Sequence, residues 1–175
     1  MTTPQRTLIA DYLVKDRDDR PLLVVEMKPA EPSRMEGIPL PWPDEVPLPP
    51  RARAVAPGPL EQLRSYASAA GTPYAMSVDP DEIRLYTVDG DRLIGPTIRL
   101  PTFETLSPYD PELAREDAVG LQMGALLRGW LLDLLYGWKR NGPTGASGLD
   151  RTGLRPRMEG GLLESEVRIA GPALR

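Results

Sequence analysis

The sequence predicts an α/β fold, a mixed central sheet flanked by helices, and three stretches carry that prediction. Residues 7–28 read as two β-rich runs around a polar turn, residues 59–70 as an amphipathic helix, and residues 74–100 as a meander of short strands. At 175 residues the chain is long enough to bury one real core.

Thr7–Lys15 (TLIADYLVK) and Leu22–Lys28 (LLVVEMK) are rich in Val, Leu, Ile and Tyr, and the DRDDR between them makes them a hairpin. Residues 29–59 hold ten prolines, which forbids regular helix or central strand and marks an extended insertion. Pro59 suits a first helical turn, Leu60, Leu63, Ala67 and Ala70 fall on one face, and Gly71 stands where a C-cap belongs. Tyr74–Val78, Ile83–Val88 and Arg92–Leu100 follow as strands, with Pro96 arguing for an edge or a break. Residues 111–140 are the longest helical candidate. Its apolar stripe comprises Leu121, Leu127, Trp130, Leu131, Leu134, Leu135 and Trp138, and Gly120 and Gly124 would allow close approach. Residues 141–175 are Gly-, Pro- and Arg-rich; only Leu162–Ala170 resembles structure, and this tail is expected to be loosely held.

There is no histidine and no cysteine. Those zeros exclude imidazole or thiolate zinc sites, disulfides, cysteine nucleophiles and Ser-His-Asp triads, so hydrolysis would have to run on carboxylates, lysine, tyrosine or a hard cation held by oxygen. The net charge is −4, but residues 139–175 carry seven basic and four acidic groups, a net of +3 that leaves −7 on the rest. The N-terminus has no apolar signal core and no charge-free run of 18 apolar residues occurs, so a soluble cytoplasmic protein without membrane contact is expected.

Hairpin arithmetic locates three charged groups. With the turn centred between Asp18 and Asp19, cross-strand partners sum to 37, so Asp11 lies opposite Glu26, and Lys28 projects from the same face two residues on. Val25 and Met27 go to the other face. Like charges placed so repel, and a divalent cation bridging Asp11 and Glu26 would compensate. Lys28 would then orient or help deprotonate an attacking water, or stabilise phosphate charge. On the helix, Gln62 and Tyr66 share a face at i and i+4. Arg51, Arg53 and Arg64 near the helix entry are candidate nucleic-acid contacts, as are Arg151, Arg155, Arg157 and Arg168 in the tail. Trp42 is read first as an anchor for the proline-rich loop.

Asp11, then Glu26-Met27-Lys28, then Gln62-x-x-x-Tyr66 resembles the PD-(D/E)xK nuclease superfamily, in particular its RecB-like branch and the N-terminal nuclease domains of type I restriction R subunits. The resemblance covers about residues 6–90 and rests on the order carboxylate strand, Glu-x-Lys strand, Gln-x3-Tyr helix, small-residue strand. It implies a restriction-endonuclease-like core over residues 1–110, with 29–59 as an insertion, 111–140 as an added C-terminal helical element and 141–175 as a tail.

It also implies Mg²⁺ or Mn²⁺ held by Asp11, Glu26 and the Met27 carbonyl, with Lys28, Gln62 and Tyr66 completing the catalytic set. The substrate would be a phosphodiester in DNA, with RNA as the second choice, in a restriction, defence or DNA-processing system. That superfamily usually places a helix and a strand before the Asp strand, whereas six residues precede Thr7. The core is therefore expected to lack both, with a homodimer, a partner subunit or residues 111–140 standing in. The alternative reading is a catalytically idle copy of the fold that recruits partners through its C-terminal helix and proline-rich loop.

Overall fold

Asp16 organises the first turn: its Oδ1 accepts the backbone N–H groups of Asp18 and Arg20 at 2.9 and 3.0 Å. The strands it joins, β1 (Thr7–Lys15) and β2 (Pro21–Met27), pair antiparallel with Tyr12 opposite Val25, Leu13 opposite Val24 and Val14 opposite Leu23. A register shift occurs only at Lys15, on the turn side. The computed structural model describes residues 7–28, 58–110, 121–139 and 141–170. They form an α/β protein with a six-stranded mixed sheet and five α-helices.

From β2 the chain reaches α1 (Pro59–Ala70), closed by Gly71 in the left-handed conformation, and then β3 (Tyr74–Val78), parallel to β2. Two central strands covered on both faces need apolar residues in both directions, which explains the buried runs Leu22–Val25 and Tyr74–Val78. Antiparallel β4 (Glu82–Asp89) and β5 (Arg92–Pro101) extend the sheet, giving the order β5-β4-β3-β2-β1-β6. Pro96 lies in the edge strand β5, where its missing N–H does no harm.

Helix α1 covers one face of the sheet with Leu63, Tyr66 and Ala67, against Leu8, Ala10, Leu13, Val24 and Ala75. Leu60, expected on that face, is 49% exposed, because the buried stripe follows positions 63, 66 and 67 instead. On the other face lie α2 (Thr102–Leu106), α3 (Leu121–Tyr136), α4 (Ala146–Arg151) and α5 (Leu154–Met158). The fully buried Trp130 anchors this layer and donates its Nε1–H to the Thr144 carbonyl at 3.0 Å. Gly124 permits the close approach expected of it: a Cβ there would stand 3.4 Å from Met27 Cε, and Tyr12 donates its hydroxyl to the Gly124 carbonyl. Asp133, an interruption in the apolar run, is fully buried yet satisfied by the Tyr109 hydroxyl at 2.7 Å and the Lys139 N–H at 2.9 Å.

Three further expectations change. Trp138 does not belong to the buried stripe: α3 stops at Tyr136, Gly137 turns the chain at φ 59°, and Trp138 is 56% exposed against the edge of Tyr109. Residues 141–170 of the tail are not loosely held. Gly142, Gly145, Gly153, Gly160 and Gly161 lie at connections between short elements whose Leu149, Leu154 and Met158 are completely buried. Tyr74 donates its hydroxyl to the Thr152 carbonyl, and Gly160 donates its N–H to Leu135.

Nor does the sheet lack a strand beside the Asp strand. β6 (Leu162–Ala170) pairs antiparallel with the length of β1, from Thr7 opposite Ala170 to Lys15 opposite Leu162, while α3 covers the face opposite α1. Both elements come from this chain. Residues 111–120 and residues 29–57 of the proline-rich insertion, Trp42 and Gly120 among them, lie outside the described residues.

Candidate functional site

Continuing the hairpin register one residue past Tyr12–Val25 puts Asp11 across from Glu26, as the arithmetic expects. The two strands are locked together there. Asp11 Oδ2 accepts the Met27 N–H at 2.6 Å. Glu26 projects beside Val24 on the α1 face, while Val25 and Met27 pack on the α3 side. From α1, Gln62 donates Nε2–H to Glu26 Oε1 at 3.2 Å and also to the Tyr66 hydroxyl. Tyr66 itself is buried against the sheet, so it steadies Gln62 from behind.

Asp11 marks a break in the sheet. Its neighbours pair with β6 as Ala10–Val167 and Tyr12–Ser165, which leaves Asp11 opposite Glu166, a residue held at φ 52°. Both strands change faces there. Leu8 and Ala10 join the α1-side core but so does Leu13, and Val167 and Ile169 lie on that side while Leu163 packs on the other. Such interruptions re-aim side chains, and non-glycine residues at positive φ cluster at functional sites.

The carboxylates carry the electrostatic signature of a crowded, half-buried pair. Burial pushes Asp11 above the usual carboxylate range and the charge of Glu166 adds to it, against the Met27 hydrogen bond. Glu26 is pushed up to about 7, first by burial and then by Asp11. Lys28 is lowered by burial and by the nearby Arg84, with Asp79 and Glu26 pulling the other way. A proton leaves Lys28 more readily than it leaves an open lysine.

The sheet register extends the site into a row. Glu26 stands beside Ser77 of β3, Ser77 beside Arg84 of β4, and Arg84 beside Arg99 of β5. Acid therefore lies at one end and base at the other. Arg84 is held by Asp79 at 2.7 Å and Glu82 at 2.8 Å, and Arg99 shares Glu82. Among the described residues, the buried side-chain oxygens without a hydrogen-bond partner are Glu26 Oε2, Ser77 Oγ and Thr72 Oγ1. Two of these three are in the row. Each such group costs about 1–3 kcal/mol unless something satisfies it. Thr72 lies at the far end of β3, in an open groove of about 230 Å³.

The remaining basic candidates do not converge here. Arg64 turns to Asp91, with a contact of 3.6 Å to its carboxylate, and Arg155 pairs with Asp150 at 3.0 Å. Arg157 lies over the Tyr74 ring, and Arg168 is exposed opposite Ile9. Arg51 and Arg53 lie outside the described residues. Ser77, Arg84 and Glu166 were not singled out by the sequence, because each enters through a strand pairing distant along the chain.

Among the described residues no three acidic side chains gather into a metal-binding group. The donor set is two carboxylates and a backbone carbonyl, all hard oxygens, and Glu26 Oε2 is buried without a partner. That set fits Mg²⁺ or Mn²⁺, which take one or two carboxylates and complete their shells with water. Comparison with family models, with curated proteins and with solved structures found no match. Among the described residues no helix is long and apolar enough to cross a membrane.

Proposed function

We propose that this chain is a divalent-cation-dependent phosphodiesterase of the PD-(D/E)xK kind acting on DNA, with RNA as the second substrate class. The observation that carries the reading is the opposed pair Asp11 and Glu26, Asp11 held by the Met27 N–H of the Glu26 strand, with a buried Glu26 oxygen left unsatisfied. A scaffold has no physical need for such an arrangement.

The element order supports it further. Read cyclically from α3, passing over the short α4 and α5 and from β6 back to β1, the order is helix, β6, Asp strand, Glu-x-Lys strand, Gln-x3-Tyr helix, small-residue strand, which is the order of the restriction-endonuclease-like core entered at a different point. Ala170 ends beside Thr7, so the two ends of that reading meet. The reason for expecting a partner subunit or second copy to complete the core falls away, and with it the main support for an idle recruiting subunit.

Asp11, Glu26 and the Met27 carbonyl would hold the cation, which when bound supplies charge neutralisation at the phosphate and a more acidic water. Gln62 fixes Glu26 through Oε1, and Tyr66 fixes Gln62. Lys28, two residues on with a lowered proton affinity, would take a proton from the attacking water as its oxygen bonds to phosphorus and the bond to the leaving sugar oxygen breaks, that oxygen taking a proton from solvent. Arg84 and Arg99 continue the row toward β5, their charge balanced by Asp79 and Glu82.

The test compares cleavage of single- and double-stranded oligonucleotides, DNA and RNA, and mononucleotides in Mg²⁺, Mn²⁺ or EDTA. Polymer cleavage that EDTA abolishes is expected. Turnover of mononucleotides alone would move the site to another phosphoester reaction.

A further inference from the structure

Glu26 and Ser77 pair in register on the parallel strands β2 and β3, and Glu26 Oε2 and Ser77 Oγ are both buried without a partner. Ser77 is 1% exposed. Alanine would be the simpler occupant, as Ala75 on the same face of the same strand illustrates. Arg84, in register on the far side of Ser77, is committed to Asp79 and Glu82. Adjacent strands lie about 4.8 Å apart, a separation that suits one bridging water between two side-chain oxygens.

We propose that Ser77 is a positioning residue of the site, holding Glu26 Oε2 through a bound water while Gln62 holds Oε1. The carboxylate is then fixed at both oxygens from opposite sides, by α1 and by β3, and its plane is set relative to Asp11 before any cation arrives. Pre-set ligand geometry of this kind governs cation affinity more than fold stability. The inference rests on the proposed function, since it assigns the orienting contact of that same carboxylate.

The experiment is calorimetric titration with Mn²⁺, without nucleic acid, of the wild type, Ser77→Ala, Glu26→Gln and Thr72→Val, with thermal melts in EDTA. Thr72→Val is the matched control, because it removes the other buried unpartnered hydroxyl at a place remote from the site. Ser77→Ala is expected to melt at or above the wild-type temperature yet bind Mn²⁺ about five- to tenfold more weakly, while Thr72→Val binds it unchanged. Wild-type affinity in Ser77→Ala, with binding lost in Glu26→Gln, would overturn the role of Ser77 and leave the carboxylate pair standing. No Mn²⁺ binding by the wild type, or undiminished binding by Glu26→Gln, would overturn both.

Discussion

Asp11 accepts the backbone N–H of Met27 at 2.6 Å, so the acid of β1 is anchored on the strand that carries Glu26. Burial raises the proton affinity of both acids, and the charge of Asp11 adds to the rise at Glu26 as that of Glu166 does at Asp11.

A stability consequence follows for the cation-free protein. Glu26 rises from 4.5 to about 7 on folding, so between those values the folded state binds more protons than the unfolded chain. Stability therefore falls as pH climbs through that window, and Asp11 contributes in the same direction. Glu26→Gln should flatten the decline and exceed the wild type at pH 8 by roughly 1–2 kcal/mol, less than the full shift implies because the group is partly open to water. Denaturant melts in EDTA at pH 5 and pH 8 measure it; equal pH slopes in both proteins would contradict it.

Gln62→Ala removes the side-chain hydrogen bond from Glu26 Oε1 but none of the proposed cation ligands. Activity should drop about tenfold, and raising Mn²⁺ should recover part of it, since the lost contact orients the carboxylate. Titrating the cation in single-turnover cleavage separates this from a loss that no concentration restores.

Glu166 is held at φ 52° inside a strand, a conformation that glycine adopts without steric cost. Glu166→Gly should stabilise the protein by about 1 kcal/mol and lower the pKa of Asp11 by removing its neighbouring charge. Chemical denaturation with carboxylate titration by NMR reads both; a destabilised protein would mean that the side chain itself supports the break between β1 and β6.

Gly161 tests the tail. A Cβ there would lie 2.0 Å from the Lys15 carbonyl oxygen, an encounter with backbone rather than with a movable side chain. Gly161→Ala should cost more than about 3 kcal/mol and appear as a large drop in melting temperature. A loosely held tail would leave the melt unchanged.

What could be read from the sequence was what depends on neighbours along the chain. The opposition of Asp11 and Glu26 followed from a symmetric hairpin, and it holds because the one register shift, at Lys15, falls on the turn side of the site. Lys28 also stood out, in a chain with 18 arginines and only three lysines. Ser77 was hidden because its place beside Glu26 depends on a parallel pairing across the insertion and α1. Glu166 was hidden because β6 returns to β1 from more than 140 residues away. The change of face at Asp11 also defeats simple alternation: Leu8, Ala10 and Leu13 share one side, which no period of two reproduces. Short helices such as Leu154–Met158 carry too few residues to show a period, so their glycine-rich connections looked like disorder.

The most direct test of the central claim is cleavage of plasmid and single-stranded DNA in Mg²⁺ by the wild type beside Lys28→Ala. Lys28 lies on the site face, contributes nothing to the buried core and holds no ion pair among the described residues, so its removal spares the fold. The account predicts cation-dependent cleavage by the wild type and a loss of at least about 100-fold in the variant, at unchanged melting temperature. Equal cleavage by both proteins, or none by a folded wild type with cation bound, would contradict it.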